Sequence, residues 1–136
     1  MATDAQETQT LDAVQGQYML ITTFRKNGEK VPTAVWYGRD GGKLYLFSLA
    51  NAGKIKRVRN NPQVEVASCS MNGTAAGPMV QASARILPRG EEAVARRALR
   101  RHYPIGFGFS ELFSNRLLRR KWAFLEISQT SEGDKA

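Results

Sequence analysis

The sequence contains a single cysteine, Cys69, and a single histidine, His102. One cysteine cannot form a disulfide within the chain, and the two residues are too few soft ligands for an internal zinc site. The chain also lacks any run of about 18 apolar residues, the length that a membrane-spanning helix needs, and its polar N-terminus does not have the pattern of a secretory leader. These absences predict a protein of the reducing cytoplasm.

Two glycine-rich nucleotide-binding motifs are also missing. Neither GxxxxGK(S/T) nor GxGxxG occurs in the chain. The first absence excludes a Walker loop, and the second means that the sequence motif of a dinucleotide-binding Rossmann fold is missing.

Positive charge, in contrast, is abundant: the chain has 20 lysines and arginines and 12 aspartates and glutamates, for a net charge of +8. The excess lies at 53–62, 93–104 and 115–121, and it predicts polyanionic partners.

The length of 136 residues predicts a single domain. The polar composition of the two ends predicts a disordered lead at residues 1–14 and a flexible tail at 129–136. The domain is therefore expected between residues 15 and 128.

Six short runs predict six strands: the first two are rich in β-branched and aromatic residues, and the next three alternate in character from residue to residue. The first two runs are separated by KNGE, in which Asn27 and Gly28 suit a tight hairpin. Two short helices are predicted, at 51–61 with Asn51 as the N-cap and at 91–102, and a third is expected at 109–118. The predicted strands are 18–25, 31–38, 43–49, 63–71, 79–87 and 121–127. This pattern is typical of an antiparallel barrel or sandwich.

The segment SLANAGKIKRVRNNP at 48–62 has the composition of a phosphate site. A strand that ends in Ser48 is followed by small residues and by a helix whose first turn carries Lys54, so that free amides and a full charge lie together. Lys54 and Arg57 are three positions apart and share one flank of the helix, whereas Arg59 lies on the other. A solvated basic helix with an ordinary cap would have the same pattern, and spacing alone leaves both interpretations open.

Three segments together resemble the pyridoxamine 5′-phosphate oxidase-like split β-barrel superfamily: VPTAVWYG, GKIKRVRNNPQVEVA and MVQASARIL. More narrowly, the chain resembles the small actinobacterial branch of coenzyme F420-dependent oxidoreductases. The resemblance covers roughly residues 11 to 128. It implies a mainly β, six-stranded antiparallel split β-barrel with short flanking helices, which forms a homodimer with a cofactor in each of two clefts between subunits. The chain is shorter than the pyridoxamine phosphate oxidases and lacks their C-terminal Trp/Arg segment, which favours F420 as the cofactor and leaves FMN as the alternative.

The resemblance also implies cofactor-binding residues. Lys54 matches the phosphate-binding lysine of the family, and three neighbours would support the same phosphate: Ser48, Asn51 and Arg57. The second strand would lie along the ring system and offer backbone groups to its polar edge, at Thr33, Val35 and Trp36. Gln81 on the fifth strand would be a further contact.

A deazaflavin is a hydride carrier, so the implied activity is hydride transfer between coenzyme F420 and a small unsaturated organic substrate. Such a reaction needs no catalytic base, and the sequence identifies no catalytic residue. Tyr18, Tyr37 and Tyr103 are potential proton donors, but each is more simply a packed aromatic. The alternatives are an FMN-binding split-barrel oxidoreductase, a flavin- or tetrapyrrole-binding protein and, ranked lower, a basic nucleic-acid-binding barrel.

Four further features leave alternatives open. His102 is expected to interact with the end of its helix rather than to ligate haem, and Cys69 is expected in the core. The arginines of 93–104 form a strip that either holds an acidic group, such as the polyglutamate tail of F420, or is solvated. Residues 103–109 form either a lid or a packed linker.

Overall fold

The computed structural model describes residues 10–102 and 122–129. Two short 3-10 helices lie at Leu11–Ala13 and Arg89–Glu91. The strands of this part of the chain are β1 (Tyr18–Phe24), β2 (Lys30–Trp36), β3 (Gly38–Asp40), β4 (Lys43–Leu49), β5 (Gln63–Cys69), β6 (Val80–Ile86) and β7 (Trp122–Gln129). Its α-helices are α1 (Gly53–Asn60) and α2 (Glu92–His102). The third helix and the lid that the sequence suggested lie outside the described residues.

The strands form one antiparallel sheet in the order β2-β1-β5-β6-β7-β4-β3. Its two edge strands, β2 and β3, are separated along the chain only by Tyr37. Trp36 is paired with Tyr18 at one edge and Gly38 with Tyr45 at the other. The chain therefore holds the two edges together, and the sheet curls into a barrel. The strand predicted at 31–38 is divided at this point, so the described residues contain seven strands where six were expected.

The predicted hairpin between β1 and β2 is confirmed. Gly28 has a φ of 90°, in the region that glycine adopts most readily, and the side chain of Asn27 accepts a hydrogen bond from the Glu29 N–H (3.0 Å). The turn thereby sets the register of the two strands, in which Phe24 lies opposite Lys30.

Apolar residues on the two faces of the sheet build two cores. The inner core fills the barrel and includes Met19, Ile21, Leu44, Leu46, Val64, Val66, Leu125 and Ile127. The outer core lies between α2 and the outer face of β4 and β7, and is built from Tyr45, Leu87, Ala95, Ala98, Leu99 and Phe124. At Gly38 a Cβ atom would lie 2.3 Å from the Ala98 carbonyl oxygen, so glycine is required where α2 crosses β3.

Different segments close the two ends of the barrel. At the end where β1 finishes, α1 contributes Ile55 and Val58 to the inner core. At the end where β1 begins, Leu11 and Val14 enter the same core.

These packed residues correct the expected domain boundaries. Residues 10–14, predicted as part of a disordered lead, form a packed segment, because the Leu11 N–H donates to Gln129 Oε1 (2.9 Å) and the Arg39 side chain donates to the Leu11 carbonyl (3.0 Å). Gln129, predicted as the first residue of the tail, is the last residue of β7. Both ends of the domain therefore extend beyond the limits that polar composition suggested.

Candidate cofactor-binding site

The barrel is open between β2 and the second half of β4. On this side of β4, β3 pairs only with residues Lys43 to Tyr45. On the side of β2 away from β1, no other strand among the described residues is paired with it. The rings of Trp36 and Phe47 meet edge to face across the opening, with centroids 6.4 Å apart. From there β4 continues to Ser48 and then to the start of α1.

The hydrogen-bond pattern of β2 decides which backbone groups face this opening. The Arg25 N–H donates to the Glu29 carbonyl (2.9 Å), and in an antiparallel pair the bonded positions alternate. The alternation directs the backbone groups of Val31, Thr33 and Val35 toward β1, and those of Ala34 and Trp36 toward the opening. Pro32 occupies an outward position, where no N–H donor is needed.

Of the three residues that the resemblance implies on the second strand, Trp36 directs its backbone groups toward the opening, whereas Thr33 and Val35 direct theirs toward β1. Ala34, which is not among those three, also directs its backbone groups toward the opening. Val35 instead packs its side chain against the inner core. The side chain of Thr33, opposite Ile21 in the register, lies on the same inner face.

Lys54 lies in the first turn of α1 and reaches back to β4. Its Nζ donates a hydrogen bond to Ser48 Oγ (3.2 Å), and Ser48 is only 6% exposed. Burial, with a smaller contribution from the nearby charge of Arg57, lowers the pKa of Lys54 from its ordinary value. A bound anion would offset both effects on the pKa, because an opposite charge favours the protonated ammonium.

Arg57 is held from the opposite side, by β1. Its Nε donates to Thr23 Oγ1 (2.7 Å), and Thr23 is 1% exposed. The guanidinium lies against the start of α1, where a Cβ at Gly53 would be 2.7 Å from Nη1. Burial and then the charge of Arg25 lower the pKa of Arg57. Lys54 and Arg57 thus converge near the helix start, as their spacing predicted.

The N-terminus of α1 has no side-chain cap. The N-cap residue is Ala52, which offers no side-chain acceptor, so the prediction that Asn51 caps this helix is wrong. Asn51 lies one residue earlier, exposed, in the turn after β4. A helix N-terminus without a cap leaves N–H groups available to an anion.

These two cations differ from the other half-buried cations of the described residues. Arg39 is paired with Asp12 (3.6 Å) and Arg96 with Glu92 (3.3 Å). Neither Lys54 nor Arg57 forms an ion pair with a carboxylate in this part of the chain; each donates to a hydroxyl instead. Two positive charges are therefore held, partly desolvated, without neutralisation.

Gln81 is not part of this group. It lies on the outer face of β6, where its Nε2 donates to Glu65 Oε2 (2.9 Å). In the sheet, β6 is separated from β2 by β1 and β5, and from β4 by β7. Within one chain the structure therefore does not bring Gln81 to Lys54.

The other residues with titratable or reactive side chains considered from the sequence are buried in the protein or bonded to other groups of it. His102 packs against Tyr37, with ring centroids 4.8 Å apart, and burial lowers its pKa. Burial raises the pKa of the Cys69 thiol, so the thiol is poorly reactive. Tyr37 donates to the Gly16 carbonyl (2.7 Å). The arginines Arg97 and Arg101 of α2 are paired with Asp40 (3.0 and 3.8 Å).

The described residues contain no cluster of three or more histidine, cysteine, aspartate or glutamate side chains that could hold a metal ion. None of their helices is long and apolar enough to cross a membrane.

No protein-family model matches the sequence, and no curated protein matches it. Solved structures do. A candidate pyridoxamine 5′-phosphate oxidase from Listeria innocua superposes with a TM-score of 0.59 at 18% identity, over 86% of each chain. An F420 reductase superposes with a TM-score of 0.55 at 16% identity, over 90% of this chain and 94% of that one.

This chain has the split β-barrel fold. The resemblance to the pyridoxamine 5′-phosphate oxidase-like superfamily is thus confirmed at the level of the fold. The same split barrel occurs in the haem storage protein HutZ from Vibrio cholerae, with a TM-score of 0.62 at 11% identity, over 96% of this chain and 89% of that one. Because a reductase and a haem protein share this fold, the cofactor must be argued from the site.

Proposed function

We propose that this split barrel is an oxidoreductase that holds the phosphate of coenzyme F420 at the start of α1 and transfers hydride between the deazaflavin and a small unsaturated substrate. The observation that carries the proposal is the pair of half-buried cations, Lys54 and Arg57, held by hydroxyls rather than carboxylates. Phosphate supplies the negative charge that this pair lacks, and charge-assisted hydrogen bonds to it are stronger than neutral ones.

The chain's own residues would bind and orient the cofactor. Lys54, Arg57 and the uncapped amides of α1 bind the phosphate, and the outward backbone groups of Ala34 and Trp36 meet the polar edge of the ring system. Trp36 and Phe47 form an apolar wall that excludes water from one side of the opening. The deazaflavin supplies the hydride chemistry when bound. No side chain is assigned a proton-transfer role.

FMN is the second candidate, because its phosphate would meet the same cations. We rank haem lower because the single histidine, His102, packs against Tyr37 and forms a hydrogen bond with the backbone of Gly16, at the end of the barrel opposite Lys54. Nucleic acid also ranks lower, since the arginines Arg96, Arg97 and Arg101 on α2 are paired with carboxylates. No strand of the described residues pairs with the outward side of β2, and we propose that a second copy of the chain completes the cleft.

The test is equilibrium binding of the purified protein to coenzyme F420 and to FMN in parallel, at physiological salt, by quenching of cofactor fluorescence. Each cofactor is accompanied by its phosphate-free form, the deazaflavin precursor or riboflavin. Tight binding of F420 that depends on its phosphate supports the proposal. A preference for FMN moves the protein to the second candidate. Binding of neither cofactor, or binding that is indifferent to the phosphate, overturns the proposed function.

A further inference from the structure

Lys54 and Arg57, which form no ion pair with a carboxylate of the described residues, are each held by a hydroxyl from a different strand. Ser48 at the end of β4 accepts from Lys54 Nζ, and Thr23 near the end of β1 accepts from Arg57 Nε. Both hydroxyls are buried, at 6% and 1% exposure. Ser48 is one of the phosphate-binding residues that the resemblance implies. No local spacing connects Thr23 to those residues, since Thr23 and Arg57 are 34 residues apart.

The type of acceptor decides whether the positive charge of Arg57 is cancelled within the protein. A carboxylate facing a guanidinium forms a bidentate pair and cancels its charge, whereas a threonine hydroxyl accepts one hydrogen bond and leaves the charge intact. Thr23 accepts from Nε alone, so that Nη1 and Nη2 keep their donors for another group. Nη1 lies against Gly53 at the start of α1.

The position of Arg57 is unfavourable without an anion. Its guanidinium lies near the positive end of the α1 dipole, and it shares this region with Lys54, whose pKa it lowers. Like charges and a helix N-terminus repel a cation. An arginine side chain with several rotatable bonds would leave such a place unless another contact held it, and the hydrogen bond to Thr23 is that contact.

We propose that Thr23 is a positioning residue for anion binding: it holds Arg57 at the start of α1 with its charge uncancelled, and so sets the affinity of the site for phosphate groups. Applied to cofactor binding, this inference rests on the proposed function. Applied to inorganic phosphate, it stands on the contacts of Thr23, Arg57 and Gly53 alone.

The first arm of the test titrates the full chain with inorganic phosphate and follows the Arg57 Nε–H resonance by nitrogen-15 correlation NMR. In the wild type we expect the resonance to be protected and to shift on phosphate addition. In Thr23→Val, which keeps the side-chain shape, we expect the protection to be lost and phosphate affinity to fall about tenfold. Thr23→Ser keeps the hydroxyl and should retain most of the affinity.

Thr22→Val is the matched control. Thr22 is the neighbouring residue of β1, equally buried, but its side chain lies on the outer face opposite Pro32 and Glu65. We expect this variant to bind phosphate as the wild type does. Phosphate affinity that is unchanged in Thr23→Val, or equally reduced in Thr22→Val, would overturn the inference.

Gly53→Ala tests the same arrangement without altering Thr23. The added Cβ would lie 2.7 Å from Arg57 Nη1 and must displace the guanidinium, whereas alanine favours the helix. We expect a fold at least as stable as the wild type, with weaker phosphate binding. Retention of wild-type phosphate affinity in this variant would contradict the proposed role of the Arg57 position.

The second arm repeats the binding measurements with coenzyme F420 and FMN. If Thr23→Val weakens inorganic phosphate binding but the wild type binds neither cofactor, the proposed function fails and the role of Thr23 stands. If the wild type binds a cofactor through its phosphate and Thr23→Val binds it equally well, the role of Thr23 fails and the proposed function stands.

Discussion

The cations on the outer face of the barrel and those at the start of α1 are held in different ways. On the outer face, Arg85 is paired with Glu126 and Glu91 (3.1 and 2.9 Å), and Arg97 with Asp40 (3.0 Å). At the start of α1, Lys54 and Arg57 donate to Ser48 and Thr23. Both regions contain basic helices, so the number of charges does not distinguish them.

The two regions differ in the group that accepts a hydrogen bond from each cation. A carboxylate neutralises the arginine that it orients, so the charges beside α2 are satisfied within the protein and contribute to the attachment of this helix. A hydroxyl orients a cation and leaves its charge for a partner. This difference is consistent with a structural role for α2 and with the binding role proposed for α1, although α2 is the more arginine-rich helix.

The largest expected effect concerns the attachment of α2. Gly38→Ala places a Cβ 2.3 Å from the backbone oxygen of Ala98, and a backbone atom cannot turn aside as a side chain can. We expect a loss of about 3 kcal/mol in the free energy of unfolding, measured by urea denaturation. Gly90→Ala is the control, because nothing lies within 4 Å of the added atom. Equal stability of the two variants would show that α2 does not depend on this close approach.

The next effect is on binding rather than stability. Lys54→Ala should weaken binding of the phosphorylated cofactor by about 1.5 to 3 kcal/mol, the value of a charge-assisted contact, and should leave the unfolding midpoint nearly unchanged. Lys56→Ala, an exposed lysine on the same helix, is the control for net charge. Equal losses in the two variants would mean that general attraction, rather than a defined contact, binds the cofactor.

Acid should lower the stability of the folded protein by protonating Glu126 on the outer face. Burial alone would raise the pKa of Glu126, but hydrogen bonds from Tyr45 and Arg85 and the charge of Lys43 hold it below its ordinary value of 4.5. A carboxyl with a lowered pKa in the folded state stabilises the protein above the pKa of the unfolded state, and this contribution is lost as the pH falls through the folded-state pKa.

Glu126→Gln should therefore be less stable than the wild type near neutral pH by about 1.5 kcal/mol. The difference should shrink on acidification below about pH 4.5, because the wild-type carboxyl then becomes protonated as well. Urea midpoints of both proteins across pH 3 to 7 measure it. A difference that stays constant over this range would rule out the ionised form of Glu126 as the source of the stability.

The smallest effect is expected at Asp40. Asp40→Asn removes the partner of Arg97 and Arg101, whose side chains are more than half exposed, and exposed pairs contribute at most about 1 kcal/mol. We expect a slight loss of stability that disappears at high salt, with cofactor affinity unchanged. Stronger cofactor binding in this variant would show that α2 also takes part in anion binding.

The sequence located the strands well because alternation of apolar and polar residues is a local signal. Most of the predicted strands match the observed ones to within two or three residues at each end. The division at Tyr37 was missed, because the run from 31 to 38 is rich in β-branched and aromatic residues on both sides of that position, and nothing local indicates that its two halves pair with different edges. The N-cap was placed at Asn51 from residue preference alone.

The candidate site was predicted in part. The convergence of Lys54, Arg57 and Ser48 follows from short spacings around one strand-helix junction. Thr23 was missed, because its contact with Arg57 depends on the packing of α1 against β1. A signal for it does exist: in β1 the alternation that buries Met19 and Ile21 brings Thr23 to the same inner face, and a polar residue on a core-facing position needs a partner.

The placement of Pro32 on the outward side of β2 affects how the chain behaves in concentrated solution. An exposed strand edge is a template for pairing with another chain, and proline interrupts such pairing because it has no N–H to donate. The interruption lies close to the backbone groups of Ala34 that face the opening. Pro32 thus interrupts strand-to-strand hydrogen bonding along this edge without excluding other contacts with a second copy, while the backbone groups of Ala34 next to it face the opening.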